Sequence, residues 1–493
     1  MLRRTRTRVL VALFAVTALA IAACGTRVDH DQIVRAVGTG AGPAVTGAMP
    51  GAPGSVADIP GATAGPGTTS GPVVGAARGA GPAGQAAGPA GSAGSGVGAT
   101  GGQRGAASGE PIVVGTVGAY SGPGGAALAQ GARALQAWGA DVNAHGGING
   151  RPVKVIVMDD GGDASKARSL MKQLVEQYNA VAVVAAMTVV ETLNSWRGYV
   201  EQKQVPVVGG SCGPEWTQSP VLFRQCPASP EQIYGTAVIG AKYGKSDKFG
   251  GLFCSETQSC TFVERELFDK GGAERAGLDP QYRARISVFQ ADYTAECIQA
   301  RNAGVELLMV VGDPGTVERV ASSCHRQNYD PQYLQISSTM RASAVGKPGL
   351  SDILLGMSVF PFAGLSTPAY NEFAGAWQRY GDGSAPGPAA AQGWASGKLF
   401  ELAATAAGDD ISRSSIITEL RKVRSERLGG LTTPMTFTPQ GPVDSRCMFY
   451  MHGTGGQWTA PAATHRNVGD GGRLCERLPS VIEAGACLID ITA

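Results

Sequence analysis

The chain has 493 residues, ten cysteines and a formal net charge of +2 at pH 7. This balance of charge argues against the concentrated basic face that nucleic acids and other polyanions require, so we expect no nucleic-acid partner. Its length leaves room for two or three domains.

The first 24 residues have the pattern of an export signal. Four arginines between positions 3 and 8 precede an apolar stretch from Val9 to Ala23, and Cys24 follows directly. The run Leu19-Ala-Ile-Ala-Ala-Cys24 resembles the lipobox of bacterial lipoproteins, whose cysteine is acylated after cleavage. That resemblance implies that residues 1–23 are removed, and that Cys24 anchors the mature chain by lipid to the extracytoplasmic side of the cell membrane. An ordinary secretory peptide and a retained membrane helix are the alternatives, although the apolar run is shorter than the roughly 20 residues that span a bilayer.

The next segment, residues 24–109, has the composition of a flexible tether. From about Ala36 to Ser108 the sequence is mostly Gly, Ala and Pro. Such a composition cannot bury enough apolar surface to fold. Glycine does not recur strictly at every third residue, which excludes a collagen helix. We predict a tether that reaches roughly 50 Å from the membrane.

Beyond residue 110, short apolar strands alternate with helical patterns. Strands are expected over 112–117, 153–158, 180–185, 205–209, 251–254, 284–289 and 307–311. Helices are expected over 126–143, 191–202, 234–243, 261–270, 293–303 and 316–327. A further helix is expected to begin after Asp163, which would serve as its N-cap. This alternation predicts an α/β protein whose parallel sheets are covered on both faces. Because about 385 residues exceed what one core normally supports, we expect two lobes.

Nine cysteines remain when Cys24 is set aside. An exported location favours disulfides, and we expect Cys254–Cys260 to close one loop and Cys297–Cys324 to join two consecutive helices. Because nine is odd, at least one thiol is expected to be unpaired or bonded to another molecule. No cysteine or histidine spacing is typical of a zinc site, so we expect no metal and no cofactor.

Several motifs in the folded part together resemble one protein family. They are Gly115-Thr-Val-Gly-Ala-Tyr-Ser-Gly-Pro123, Asp141-Val-Asn-Ala-His-Gly-Gly-Ile-Asn-Gly-Arg-Pro-Val153, Met158-Asp-Asp160, Asp163-Ala-Ser-Lys-Ala167, Val205-Pro-Val-Val208 and Pro434-Met-Thr-Phe-Thr-Pro-Gln-Gly441. In this order they look like the leucine/isoleucine/valine-binding type of extracytoplasmic solute-binding protein. The resemblance extends from Pro111 to about Met451.

This resemblance implies a type I periplasmic-binding fold, with two Rossmann-like lobes, a central ligand cleft and a hinge. Lobe 1 is expected to contain residues 110–232 and 360–430, and lobe 2 residues 233–359 and 431–493. The family resemblance also implies that the protein is a monomer, is not an enzyme and serves as the substrate-binding component of an ABC-type importer. Such a component would capture an amino-acid-like or related polar solute and deliver it to permease subunits.

The ligand is expected at the carboxyl ends of the parallel strands, where loops present hydroxyl groups and backbone N–H groups. The candidates in those loops are Tyr120, Ser121, Thr188, Val189, Ser211, Cys212, Asp313 and Thr339. Amino-acid-binding relatives place a serine near Val189, a threonine near Cys212 and an acidic residue near Thr339. This chain lacks all three, so a plain branched-chain amino acid is not the default ligand. Trp216 is a further candidate, for stacking on a ligand.

Three other functions fit single features of the sequence. Gly209-Gly-Ser211-Cys-Gly213 matches the GxSxG nucleophile motif of secreted hydrolases, with His325 or His452 as a possible partner, but the following residues are poor helix formers. Gly122 to Ala127 fits the dinucleotide pattern GxGxxA, although the acidic residues after the second strand, Asp159 and Asp160, lie more than thirty residues past Ala127 rather than about 20. A third alternative is an extracytoplasmic sensor or receptor, in which the same two lobes signal to a partner.

Overall fold

The computed structural model describes residues 109–122, 125–443, 445, 447–460 and 489–490, with Ala126, Gln218 and the last pair described by backbone alone. The expected signal peptide, Cys24 and all but the last residue of the expected tether lie outside these residues. None of the helices within the described ranges combines the length and the apolar character needed to cross a membrane.

Lobe 1 is built on a five-stranded parallel sheet in the order β2-β1-β3-β4-β5. Its strands are β1 (Ile112–Gly118), β2 (Val153–Asp159), β3 (Ala182–Ala186), β4 (Val207–Gly210) and β5 (Leu222–Phe223). Its helices are α1 (Gly125–Ala144), α2 (Ala164–Glu176), α3 (Val190–Gln202), and, later in the chain, α9 (Pro368–Tyr380), α10 (Pro388–Ala406) and α11 (Arg413–Leu420). Helices α2 and α3 pack together on one face, whereas α1 and α10 cover the other.

Lobe 2 contains a second sheet of eight strands, in which β13, β14 and β15 join a parallel core. Its strands are β6 (Lys248–Cys254), β7 (Asp279–Ile286), β8 (Leu307–Val311), β9 (Gln332–Ile336), β10 (Asp352–Met357), β13 (Cys447–Thr454), β14 (Gln457–Thr459) and β15 (Ile489–Asp490). The last three pair antiparallel, so the sheet is mixed rather than purely parallel as expected. Its helices are α4 (Ser229–Tyr243), α5 (Gln258–Glu264), α6 (Gly272–Ala276), α7 (Thr294–Asn302) and α8 (Pro314–Arg326).

Three connections join the two sheets. The first, residues 224–228, runs from β5 into α4, which packs on β9 and β10. The second, residues 358–367, runs from β10 back to α9, and the third lies between α11 and β13. The Phe360 amide donates to the Leu431 carbonyl oxygen (3.0 Å), which links the second connection to the third. The third contains a short hairpin, β11 (Phe437–Thr438) and β12 (Gly441–Pro442), that packs against β5 of lobe 1.

Helices α1 and α10 approach each other closely because glycine lines their contact. A β-carbon at Gly393 would lie 2.1 Å from the Gly131 carbonyl oxygen, so no larger residue fits there without movement of the helices. Trp138 is fully buried in this contact, and its indole Nε1 donates to Glu401 (2.9 Å). This packing fixes α10 against the ends of β3 and β4.

Three disulfides are present in the described residues. Cys254–Cys260 and Cys297–Cys324 are the two pairs expected from the sequence. The third, Cys212–Cys226, was not among the expected pairs, and it involves Cys212, which was predicted to contact ligand. Cys475 and Cys487 lie outside the described residues, and the expectation of an odd thiol stays a prediction.

Candidate functional site

The carboxyl ends of β1, β3 and β4 bring three predicted site residues to one edge of lobe 1. These strands are parallel neighbours in the order β1-β3-β4. The residues that follow them are therefore adjacent, although they are far apart in sequence. Tyr120 follows β1, Thr188 follows β3 and Ser211 follows β4.

The end of β3 is turned by an unusual backbone conformation at Ala185. This buried residue has a φ of 57°, in the left-handed region that non-glycine residues rarely adopt. The Ala185 carbonyl oxygen accepts a hydrogen bond from Thr116 Oγ1 (2.7 Å) and lies 3.4 Å from the Tyr120 hydroxyl. Backbone strain of this kind is concentrated at functional sites, because the surrounding structure must hold it in place.

The Tyr120 hydroxyl points into lobe 1 rather than towards a ligand. Its oxygen lies 2.5 Å from Thr116 Oγ1. Burial raises the pKa of the Tyr120 phenol well above its usual range. The negative charges of Asp160 and Asp159 raise it further, whereas the hydrogen bond between Tyr120 and Thr116 lowers it. The phenol is neutral, and Tyr120 offers its half-buried ring, not its hydroxyl, to the site edge.

Thr188 and Ser211 form the polar centre of this edge. The Thr188 amide donates to Ser211 Oγ at 2.8 Å, and the Ser211 amide donates to the Ala186 carbonyl oxygen at 3.1 Å. Thr188 is only 7% exposed, and its Oγ1 has no hydrogen-bond partner among the described residues. A buried hydroxyl without a partner costs about 1–3 kcal/mol, so this group is available to bind a polar atom.

Asp159 fixes the loop that follows β1. Its Oδ1 accepts from the amides of Tyr120 (2.9 Å), Ser121 (3.2 Å) and Gly161 (2.9 Å). Burial opposes ionisation of Asp159, but the hydrogen bonds from Ser121, Tyr120 and Gly161 outweigh it and hold the pKa of the carboxyl below its usual value. Asp159 thereby holds the loop that contains the exposed Ser121. Asp163 has a separate role, since it caps α2 as expected by accepting a hydrogen bond from the Lys166 amide (2.7 Å).

Two predicted residues of lobe 1 offer no polar side-chain group to a ligand. Val189 precedes α3, and its carbonyl oxygen accepts from Thr192 Oγ1 (3.0 Å). The Cys212 sulfur is bonded to Cys226 and is fully buried, so Cys212 is not a ligand-binding thiol. Trp216 was expected to stack on a ligand, but its side chain is fully buried in the core.

The polar groups predicted in lobe 2 are used within that lobe. Asp313 is the N-cap of α8, where Oδ1 accepts from the Gly315 amide (2.8 Å) and Oδ2 accepts from Thr316 Oγ1 (2.5 Å). Thr339 is buried, and its Oγ1 lies 2.8 Å from the Gln335 side-chain amide and donates to the Ile336 carbonyl oxygen (2.9 Å). Neither side chain has a free polar group directed at lobe 1.

The segment after β9 nevertheless reaches lobe 1. The turn Ser337–Thr339 packs against α1 and α10. The Ala342 amide nitrogen would lie 3.5 Å from a β-carbon at Gly387, just before α10. Arg341 stands between these contacts, and its Nε lies 3.4 Å from Glu318 Oε1. The Arg341 side chain thus pairs with α8 within lobe 2, although its backbone lies beside the segment that reaches lobe 1.

Phe289 is an exposed apolar residue of lobe 2 that the sequence pattern did not predict to be exposed. It was expected inside a strand, but β7 ends at Ile286 and the Phe289 side chain is 75% exposed. Glu256 holds this loop, because its Oε1 accepts from Ser287 Oγ (2.5 Å) and from the Val288 amide (3.1 Å).

The described residues do not support the hydrolase alternative. Ser211 Oγ accepts from Thr188, whereas His325 Nδ1 lies 2.9 Å from Asp330 and His452 Nε2 lies 2.8 Å from Asp352. Neither histidine bonds to Ser211. No group of three or more potential metal ligands occurs within the described part of the chain.

Comparison with known proteins identifies a matching family and a related sequence. A family model described as periplasmic binding protein matches residues 111–457. A Pseudomonas aeruginosa protein named amino acid binding protein is 29% identical over 207 residues, which cover 41% of this chain and 54% of that protein. The chain thus matches about half the length of this curated relative.

Two solved structures show the same fold. One is a branched-chain amino acid ABC transporter protein from Thermus thermophilus with bound valine, with a TM-score of 0.62 and 14% identity over 71% of this chain and 95% of that chain. The other is an ABC transporter solute-binding protein from R. palustris in complex with benzoate, with a TM-score of 0.58 and 16% identity over 71% of this chain and 95% of that chain. At these identities the likeness establishes the fold alone.

Proposed function

Because the chain belongs to the periplasmic binding protein family, whose members are solute-binding proteins rather than enzymes, we propose that it captures a small polar solute between its two lobes. In this proposal it is the substrate-binding component of an ABC-type importer. Cys24 anchors it to the outer side of the cell membrane, and residues 24–109 act as the tether. The solute is delivered to permease subunits, which are separate proteins.

The pairing of Thr188 with Ser211 carries this proposal. Both hydroxyls lie at the carboxyl ends of adjacent parallel strands, and Thr188 Oγ1 is buried without a partner among the described residues. A ligand that accepts or donates a hydrogen bond there would remove the cost of the unpaired group. Such a contact stabilises the ligand-bound state more than the free state, and it can therefore favour closure of the lobes.

The ligand should be sought among several chemical classes and not only among branched-chain amino acids. The carboxylate of Asp313 caps α8, so it is not free to receive a ligand ammonium group. Arg341 is paired with Glu318 in the same way, so neither charged side chain selects the charge of the ligand. Related folds hold valine in one case and benzoate in another, so both zwitterions and simple anions belong in the test.

Thermal unfolding of the purified full-length protein tests this function. We expect one of six probes, namely L-valine, L-isoleucine, L-asparagine, spermidine, glucose and benzoate, to raise the unfolding temperature in a concentration-dependent manner. A ligand at 100 times its Kd stabilises the folded state by about 2.7 kcal/mol. Ser211→Ala should abolish most of the shift. A protein whose unfolding temperature responds to none of these chemical classes would contradict the proposal.

A further inference from the structure

The first connection between the lobes is bonded directly to the loop that carries Ser211. Residues 224–228 leave β5 of lobe 1 and enter α4, which packs on the sheet of lobe 2. All five residues are buried. A connection that only spanned the two lobes would need no contact with the loop after β4.

Three kinds of contact join this connection to residues 210–212. The Gln225 side chain accepts from the Gly210 amide and donates to the Gly210 carbonyl oxygen, both at 2.9 Å. Cys226 forms the disulfide with Cys212. At the start of α4, the Ser229 amide and hydroxyl both donate to the Cys212 carbonyl oxygen, at 3.0 and 3.1 Å.

The loop needs such support because its backbone is strained. Cys212 has a φ of 51°, which is unfavourable for a non-glycine residue. Gly210 has a φ of 157°, which glycine adopts without strain, and a β-carbon there would lie 2.2 Å from the Ala186 carbonyl oxygen, so this position requires glycine. Strained conformations of this kind persist only where surrounding groups hold them. Ser211 lies between these two residues.

We propose that Gln225 and the Cys212–Cys226 disulfide are positioning groups that hold the Ser211 hydroxyl beside Thr188. They do not contact the ligand themselves. They act through Ser211, and they join the ligand site to the connection between the lobes. The effect of these groups on ligand binding rests on the proposed function, but the position of Ser211 can be tested without any ligand.

The Thr188 amide reports the position of Ser211 directly. Its shorter hydrogen bond goes to Ser211 Oγ (2.8 Å), whereas its second contact, to the Ala186 carbonyl oxygen, measures 3.1 Å. If Ser211 moves away, the amide loses its better acceptor and exchanges its hydrogen faster with solvent. Ser211→Ala sets the size of the change that corresponds to complete loss of this bond.

Hydrogen exchange of the Thr188 amide in the full-length protein, resolved by NMR, tests the proposal. Gln225→Met keeps the side chain long and removes both hydrogen bonds, and the double variant Cys212→Ala/Cys226→Ala removes the disulfide. We expect each to accelerate exchange at least about tenfold, approaching the rate in Ser211→Ala, while amides of β8 keep their protection. Two variants are used so that a folding failure in one leaves the other to decide.

Matched controls separate positioning from general loss of stability. Cys297→Ala/Cys324→Ala removes a disulfide of lobe 2, and Gln392→Met removes another buried glutamine whose Nε2 donates to Ser358 Oγ (2.7 Å). Neither should change exchange at Thr188. Unchanged exchange in both Gln225→Met and the Cys212/Cys226 double variant would overturn the proposal, as would equal acceleration in the controls.

Binding provides a second measurement, with L-valine and benzoate as separate probes. For a probe that binds the parent protein, we expect Gln225→Met to weaken binding about tenfold and to have no further effect in the Ser211→Ala background, since groups that act through one contact are not additive. Additive losses would contradict action through Ser211. If neither probe binds the parent protein, these two ligands are excluded, whereas the exchange result still decides whether Gln225 and the disulfide position Ser211.

Discussion

The Thr188 amide donates a 2.8 Å hydrogen bond to Ser211 Oγ, which joins the ends of two adjacent strands at the candidate ligand site. The backbone of Thr188 is thus satisfied by Ser211, while the Thr188 hydroxyl has no partner in the described residues. Within lobe 1, this pair combines a rigid polar frame with an unused hydrogen-bonding group. The combination is typical of a preorganised site, which gives up folding stability in exchange for affinity.

Thr188→Val is therefore expected to separate stability from binding. Valine has nearly the same shape and removes the unpaired hydroxyl, so the free energy of unfolding without ligand should stay constant or rise by up to about 1 kcal/mol. Binding of whichever probe stabilises the parent protein should weaken about tenfold, which corresponds to about 1.4 kcal/mol. Thermal unfolding and titration calorimetry measure the two effects.

The control for this change is Thr236→Val. Thr236 is fully buried in α4 of lobe 2, and its Oγ1 donates to the Gln232 carbonyl oxygen (2.7 Å). We expect this variant to lose about 1 kcal/mol of stability and to keep its affinity. If Thr188→Val binds every effective probe as tightly as the parent protein, Thr188 does not contact the ligand.

Asp352 gives lobe 2 an acid-sensitive contact. Its Oδ1 accepts from Gln332 Nε2 (2.8 Å) and lies 2.8 Å from His452 Nε2, and its other oxygen forms a salt bridge with Lys245. Burial opposes ionisation of Asp352, but the hydrogen bonds from Gln332, Lys245 and His452 outweigh it and hold the pKa of the carboxyl below its usual 3.8. The carboxylate therefore stabilises the folded state at neutral pH.

The sign of the pH dependence follows from this lowered pKa. The unfolded chain binds a proton at Asp352 more readily than the folded chain, so the stabilisation is complete above the unfolded pKa and is lost as pH falls through the folded pKa. We expect Asp352→Asn to unfold more easily than the parent protein above roughly pH 5, with a difference that shrinks below pH 3.8. Urea unfolding at a series of pH values measures it. A difference that does not depend on pH would contradict this assignment.

Cys24→Ala tests the predicted lipid anchor. The parent protein should enter the detergent phase on phase separation and incorporate labelled fatty acid in cells, because acyl chains supply the apolar area for stable membrane binding. The variant should move to the aqueous phase, whereas the control Thr26→Ala should behave like the parent protein. Equal membrane retention of the parent protein and Cys24→Ala would show that another segment holds the chain at the membrane.

Alternation of strands and helices predicted the α/β class and the parallel strands, whereas the two-lobed periplasmic-binding fold followed from the resemblance of the ordered motifs. Thr188 and Ser211 follow short apolar strands, and the rule that parallel strands present their carboxyl ends at one edge brought both into the set of candidates. Asp313 fitted the same rule, but an aspartate just before a helix can either bind a ligand or cap the N-terminus of the helix. Its hydrogen bonds to Gly315 and Thr316 decide for the helix, and no local pattern separates the two.

Other features depend on contacts between distant segments, which sequence periodicity does not encode. The pairing of Cys212 with Cys226 requires the end of β4 and the first connection to lie side by side. Gln225 was overlooked because a single glutamine, here between Arg224 and Cys226, carries no signal of its own. Phe289 was assigned to a strand by the apolar residues before it, whereas β7 ends at Ile286 and Glu256 accepts hydrogen bonds from Ser287 and Val288 in the loop that follows.

The contact between α1 and α10 gives a prediction that depends on packing alone. A β-carbon at Gly393 would lie 2.1 Å from the Gly131 carbonyl oxygen, so Gly393→Ala forces the helices apart and should cost about 1–3 kcal/mol. Gly198 in α3 has no atom within 4 Å of such a β-carbon, and there alanine should stabilise the protein by about 0.5–1 kcal/mol through its better helix propensity. Urea unfolding of both variants measures these opposite effects. A Gly393→Ala protein as stable as Gly198→Ala would mean that the two helices do not meet at Gly131.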